Sequence, residues 1–275
     1  MNNLVTRTIT GVIFVAAVLG SIMFQEQYYA FTALFSVFCV LALIEFYGII
    51  NAKENVSVNV PYRVFCGILL YLGCFWCSSF NSDPRKIRGF VILIAYILSI
   101  IILIISELYR GKPHPTYNLA FSIYGQVVVA LPFGVLNFIA RDQFQLLALF
   151  VFIWLFDTGA YVFGSSFGKH KMIERISPKK SWEGEIGGAL TTVGVAIAYS
   201  FYLGQPLWQW VVFALIVVIF GTFGDLSESM LKRASGLKDS GNILPGHGGM
   251  LDRFDSMLLA APVIYIYIEI LKAVS

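Results

Sequence analysis

Charge is the first thing this sequence has little of: 13% of its 275 residues are Asp, Glu, Lys or Arg, against 58% hydrophobic, and mean hydropathy is +0.77. That balance excludes an ordinary soluble domain and points to an integral membrane protein. Cysteine is also scarce. The four present, Cys39, Cys66, Cys74 and Cys77, all fall inside apolar stretches. Cys74-Phe-Trp-Cys77 has metal-like spacing but no second pair, so it is read as helix packing. No internal repeat, low-complexity tract or long linker is visible, which leaves one membrane domain as the simplest organisation. Its N-terminal half, 1–140, carries little chemistry, and its second half, 141–275, carries most of it. The apolar run after Arg7 lacks a small-residue cleavage site and is followed at once by another such run, so it reads as a retained anchor rather than a signal peptide.

What is present in quantity is apolar sequence in lengths that cross a bilayer, about 20 residues each. Nine spans are predicted, at 8–24, 28–49, 62–80, 89–108, 117–140, 143–164, 185–204, 206–226 and 255–273, giving an all-α polytopic fold. With the N-terminus in the cytoplasm, that side holds Arg7, Lys53, Arg63, Arg110, Lys112, Lys169, Lys171, Arg175, Lys179, Lys180, Lys232, Arg233, Lys238 and Arg253. The other side holds Arg85, Lys86, Arg88, Arg141 and Lys272. Fourteen against five follows the positive-inside rule, so two polar loops, 165–184 and 227–254, are expected to face the cytoplasm. A face this basic suits an anionic lipid surface or a nucleotide.

The charge that does occur is concentrated. Asp225, Glu228, Ser229 and Lys232 stand three, four and seven residues apart and share a helical face, while Asp252 and Asp255 share another at the start of the last apolar run. Carboxylates this close to lipid mark chemistry more often than packing. Two helix ends offering acids across a loop suit Mg2+, which takes a few carboxylates, waters and phosphate oxygens. Between them lies Gly246-His247-Gly248-Gly249, whose backbone N–H groups are free to converge on an anion. Glu45 and Glu107 are expected to sit at the water interface. Asp157, with Tyr161 four residues on, interrupts an apolar helix together with two glycines, Gly159 and Gly164. Packing accounts for the glycines but not for the acid.

The second polar segment, Ser177-Pro-Lys-Lys-Ser-Trp-Glu-Gly184, starts with a helix-breaking Pro178. Lys179 and Lys180 offer compact positive charge for a phosphate, and Trp182 a ring to stack on a base. A positive-inside loop with an interfacial Trp accounts for the same residues.

Taken together, Ser229-Met-Leu-Lys232-Arg233, Lys238-Asp239-Ser-Gly241 and Leu244-Pro-Gly-His247-Gly-Gly-Met-Leu-Asp252-Arg253-Phe-Asp255 resemble the signature of the phosphatidate cytidylyltransferase (CDP-diacylglycerol synthase) family. The segments at Asp157 and at Ser177–Gly184 also look like that family's, so the resemblance is dense over about the last 120 residues. It implies an enzyme of the cytoplasmic membrane, its active site on the cytoplasmic side, that joins CTP to phosphatidic acid, releasing pyrophosphate. It also implies a homodimer, Mg2+ with K+ as a possible second ion, and Asp225 and Asp252 as the metal ligands. The expected catalytic set adds Lys232, Arg233, His247 and Asp255. The expected substrate-binding set is Asp157, Lys179, Lys180, Ser181, Trp182, Glu183, Ser229, Lys238, Asp239, Gly248, Gly249 and Arg253. No nucleic-acid partner is expected. Rival classes lack their marks: there is neither a Walker loop nor the Asp-Gly-x-x-Ala-Arg array of CDP-alcohol phosphatidyltransferases. An ion-coupled transporter would show inverted halves and acids at mid-membrane, whereas the acids here gather at one rim.

Overall fold

A computed structural model describes residues 3–24, 29–53, 56–78, 85–241, 243 and 248–274. Among them are eight helices long and apolar enough to cross a membrane, together with a shorter apolar helix at Thr8–Met23. In chain order they are α1 (Asn3–Met23), α2 (Ala30–Asn51), α3 (Val60–Cys77), α4 (Arg85–Tyr109), α5 (Pro115–Ile139), α6 (Gln143–Phe167), α7 (Trp182–Leu203), α8 (Leu207–Ala234) and α9 (Leu251–Val274). Each corresponds to one expected span.

Several helix ends differ from expectation by a few residues, and two of these matter for the site. Helix α8 continues through Ser227 to Ala234, where a loop was expected to begin. The Glu228–Lys232 ion pair spans one turn of this extension, and Lys232 and Arg233 place positive charge at its C-terminal end, where the helix dipole favours it. Helix α9 in turn begins at Leu251, four residues before the expected span, so Asp252 and Asp255 share its first turns as their spacing implied.

The chain forms two compact units, Met1–Gln143 with Ala234–Arg253, and Phe144–Arg233 with Phe254–Ser275. In the first, α3 and α4 pack antiparallel. Gly89 lies against Cys77 at one end, Gly73 against Leu93 further along, and the Tyr62 hydroxyl donates to the Ser99 carbonyl at 2.7 Å. Asn59 caps α3 by accepting from the Tyr62 N–H, with proline in the first turn. In α5 the backbone widens to π-helical spacing over Gln126–Ala130, just before Pro132. A proline cannot donate its amide, and the wider turn accommodates that break. Phe31, Phe35, Phe133, Tyr47 and Tyr71 fill the centre.

Glu107 is not at the water interface as expected. It is 3% exposed, accepts from Asn118 Nδ2 at 2.7 Å and pairs with Arg63 and Arg110, each at 3.4 Å. A carboxylate inside a membrane protein is tolerated when its lone pairs are met in this way. The free cysteines Cys39, Cys66 and Cys74 are buried in helix interfaces, in keeping with packing.

In the second unit, α6 and α7 meet along a glycine seam. A Cβ on Gly188 would stand 2.8 Å from the Phe156 carbonyl oxygen, and one on Gly159 would stand 3.0 Å from the Gly188 Cα. Small residues allow this approach, which favours helix association where the surroundings are as apolar as the side chains. Phe152, Tyr199, Trp210 and Phe213 form an edge-to-face cluster joining α6, α7 and α8. The Tyr267 hydroxyl donates to the Gln209 carbonyl at 2.9 Å, tying α9 to α8.

Candidate active site

The site in the second unit is built where α8 and α9 approach most closely. Gly224 makes this possible: a Cβ there would collide with the Asp255 carbonyl oxygen and stand 3.1 Å from the Ser256 Cα. As a result Asp225 and Glu228, one turn apart on α8, meet Asp255 on α9. One oxygen from each lies within 4.8 Å of the others. Asp157 of α6 is close enough to Asp255 to interact electrostatically. Glu185, buried in the first turn of α7, accepts from Thr222 Oγ1 at 2.6 Å.

Two ammonium groups answer these acids. Lys180 Nζ lies 3.0 Å from Asp225 Oδ2 and 3.7 Å from Glu185 Oε1, and Lys232 pairs with Glu228. Burial pulls the Lys180 pKa down, but the Asp225 and Glu185 carboxylates more than offset this, so its pKa stands above the ordinary lysine value. Ser229 donates to Asp225 Oδ1 at 3.2 Å.

Lys180 is delivered by a structured loop. Met172 N–H donates to the Lys180 carbonyl at 3.2 Å and Trp182 N–H to the His170 carbonyl at 2.9 Å, forming a short antiparallel bridge between Lys171 and Ser181. Buried Ser181 caps α7, accepting from the Gly184 N–H at 3.3 Å. Glu183 receives the Lys169 and His170 N–H groups and lies 2.6 Å from His170 Nδ1. These two expected substrate contacts therefore hold the loop that presents Lys180.

In the first unit a second group of acids organises the signature segment. Asp252 accepts from the N–H groups of Ser240 at 3.1 Å and Gly249 at 2.8 Å. Glu45, 6% exposed and not interfacial as expected, accepts from Ser240 Oγ at 3.1 Å, Met250 N–H at 2.9 Å and Leu251 N–H at 2.8 Å. Its carboxylate leaves no room for a Cβ on Gly249 or Gly241. Gly248 has φ +81°, which favours glycine.

Of the expected residues, the structure brings together Asp225, Asp255, Lys180, Lys232, Ser229 and, electrostatically, Asp157. Asp252, expected as a metal ligand, lies in the first unit, where it accepts from the Ser240 and Gly249 N–H groups. Lys179, Trp182, Arg233, Lys238, Asp239 and Arg253 are exposed. His247 lies outside the described residues. Glu228 was expected in the acidic cluster but not in the catalytic, binding or metal sets, and Glu185 and Glu45 were not expected at a site. Glu228 is signalled by its spacing from Asp225, Glu185 only as an acid opening an apolar helix, and Glu45 by nothing local.

Among the described residues, the carboxyl groups of Asp225, Glu228 and Asp255 gather with Asp157 near Asp255, Lys180 pairs with Asp225 and Glu185, and Lys232 pairs with Glu228. An all-oxygen donor set of this kind fits a hard divalent cation, which takes a few carboxylates and waters.

Residues 5–271 match the model of the cytidylyltransferase family. The chain belongs to that family. Curated cytidylyltransferases similar to it include the phosphatidate cytidylyltransferase of Staphylococcus haemolyticus, 34% identical over 235 residues, 82% of this chain and 86% of the relative. That of Haemophilus influenzae is 29% identical over 288 residues, 96% and 99% of the two chains. That of Staphylococcus aureus strain COL is 47% identical over 123 residues, 44% and 47% of the two chains.

Proposed function

We propose that this chain transfers the cytidylyl group of CTP to phosphatidic acid, forming CDP-diacylglycerol and pyrophosphate. The observation that carries the reading is the convergence of Asp225, Glu228 and Asp255 beside Lys180 at the Gly224 crossing, in a chain of the cytidylyltransferase family. A phosphate oxygen of the lipid attacks the α-phosphorus of CTP, a new P–O bond forms, and the bond to the β-phosphate oxygen breaks as pyrophosphate leaves. The lipid phosphate is already anionic near neutral pH, so no side chain need act as base. The obstacle is repulsion between two anions.

Asp225, Glu228 and Asp255 would hold Mg2+, which supplies charge neutralisation across the reacting phosphates. Lys180, fixed by Asp225 and Glu185 and held protonated, presents a positive charge at the same place. Asp252 acts by fixing the amides of Ser240 and Gly249, and exposed Lys179, Arg233, Lys238 and Arg253 supply further positive charge for phosphate oxygens. His247 donates to a phosphate oxygen from the glycine loop. A second cation such as K+, a homodimeric assembly, and a site facing the cytoplasm from the cytoplasmic membrane complete the proposal. The basic excess of that face supports the orientation.

The test is CTP-dependent conversion of phosphatidic acid by the purified chain, with and without Mg2+, alongside Asp225→Asn and Asp252→Asn. Metal-dependent product that either change reduces at least about 100-fold supports the assignment. No turnover by folded wild type supplied with lipid would sink it.

A further inference from the structure

The first unit has a groove of about 440 Å3 between the start of α3 and the end of α4. Asn59, Tyr62, Arg63, Ser106, Tyr109 and Arg110 line it. Two guanidinium groups meet one carboxylate there, since Arg63 and Arg110 share Glu107. The groove is therefore net positive.

Neither arginine is used up. Arg63 is only 2% exposed, yet of its nitrogens only Nε, to Ser122 Oγ, and Nη2, to Glu107, donate to described residues. Its Nη1 has no acceptor among them, although the residue lines the groove. Arg110 donates through Nη1 and Nη2 to Ser57 and Glu107, leaving Nε–H without a described acceptor. Guanidinium nitrogens without a described acceptor, on residues that line a groove, are available to an anion or water there.

The walls say what kind of anion. Helix α4 is the least buried of the long apolar helices, 17% over its most apolar window, and Ile94, Ile97, Leu98, Ile101 and Ile105 are exposed along it. A ligand seated on the arginines thus has an exposed apolar surface of α4 beside it, suited to acyl chains, while Tyr62 and Tyr109 flank it as residues favoured at headgroup depth. A free phosphate would leave that surface unused. The geometry points to a binding site for an anionic phospholipid in this groove, its headgroup phosphate on Arg63 and Arg110 and its acyl chains along α4. None of the residues lining this groove belongs to the acidic cluster.

Native mass spectrometry of the full chain in detergent, titrated with phosphatidylglycerol or phosphatidylcholine, tests this. Wild type is expected to retain phosphatidylglycerol in preference to phosphatidylcholine. Arg110→Gln should weaken that adduct about fivefold, the effect of one surface cation. Ser106→Trp, at an exposed position, should weaken it by filling the groove without removing charge, so one variant decides if the other fails to fold. Asp225→Asn should bind phosphatidylglycerol like wild type. Equal binding of the two lipids, wild-type binding by both groove variants, or loss of the adduct in Asp225→Asn would each overturn the proposal.

Discussion

Replacing Glu45 with Gln keeps the shape of a buried side chain and removes only its charge and one acceptor oxygen. In the wild type both carboxylate oxygens are occupied, Oε1 by the Met250 N–H and Oε2 by the Leu251 N–H and Ser240 Oγ. An amide offers one acceptor and turns an NH2 donor toward groups that are themselves donors. At least one of the three bonds is lost, and hydrogen bonds to charged groups are worth about 1.5–3 kcal/mol each. Two partly lost bonds put the cost at about 2–4 kcal/mol, localised to the stretch from Ser240 to Leu251. Every 1.4 kcal/mol is about tenfold in an equilibrium, so amide exchange at Met250 and Leu251 should accelerate by about 30-fold or more. Cytidylyl transfer should fall at least about tenfold, because the same segment carries the glycine loop and Asp252. The melting temperature should move little by comparison. Hydrogen exchange by mass spectrometry reads the first effect, and product formation from CTP and phosphatidic acid the second. Exchange within about threefold of wild type, with unchanged turnover, would refute the claim that Glu45 holds the segment.

Other substitutions probe the acidic cluster and its supports. Gly224→Ala should force α8 and α9 apart where Asp255 meets Asp225, costing about 1–3 kcal/mol of stability and about 100-fold in kcat; near-normal kinetics would mean that the crossing does not set the site. Lys180→Met should raise the KM for CTP about tenfold, measured in initial-rate assays, as one charge-assisted contact is removed. Because the Lys180 pKa is raised, its ammonium persists as pH rises and is lost only above its ordinary 10.5, so no fall in rate removed by Lys180→Met should appear below about pH 10. Ser181→Ala removes the cap of α7 and should lower stability by about 1 kcal/mol in thermal unfolding, with a larger loss of activity because the same loop carries Lys180.

The helices were legible in the sequence because crossing a membrane is a requirement on each segment by itself. A run of about 20 apolar residues satisfies its backbone internally whatever its neighbours do. The nine expected spans reappear as helices, with differences only at their ends. The ends of α8 and α9 moved because ion pairs and capping, not hydropathy, decide where a polar helix stops. The family was legible too, since its signature between Ser229 and Asp255 is a local string. Periodicity likewise placed Asp225, Ser229 and Lys232 on one face of a helix.

What the chain alone did not reveal is which acid answers which group. Asp252 and Asp255 are three residues apart and look equivalent on paper, yet one orders the amides of Ser240 and Gly249 while the other joins Asp225 and Glu228. Glu45 and Glu107 looked like interface residues until their partners were known. Those partners include Met250, 205 positions away from Glu45, and Arg63, 44 away from Glu107. Whether a carboxylate is solvated, paired or free to hold a cation depends on donors brought to it by packing. Close crossings such as that at Gly224 are settled by side-chain volumes on two helices at once, so only the tertiary structure assigns those roles.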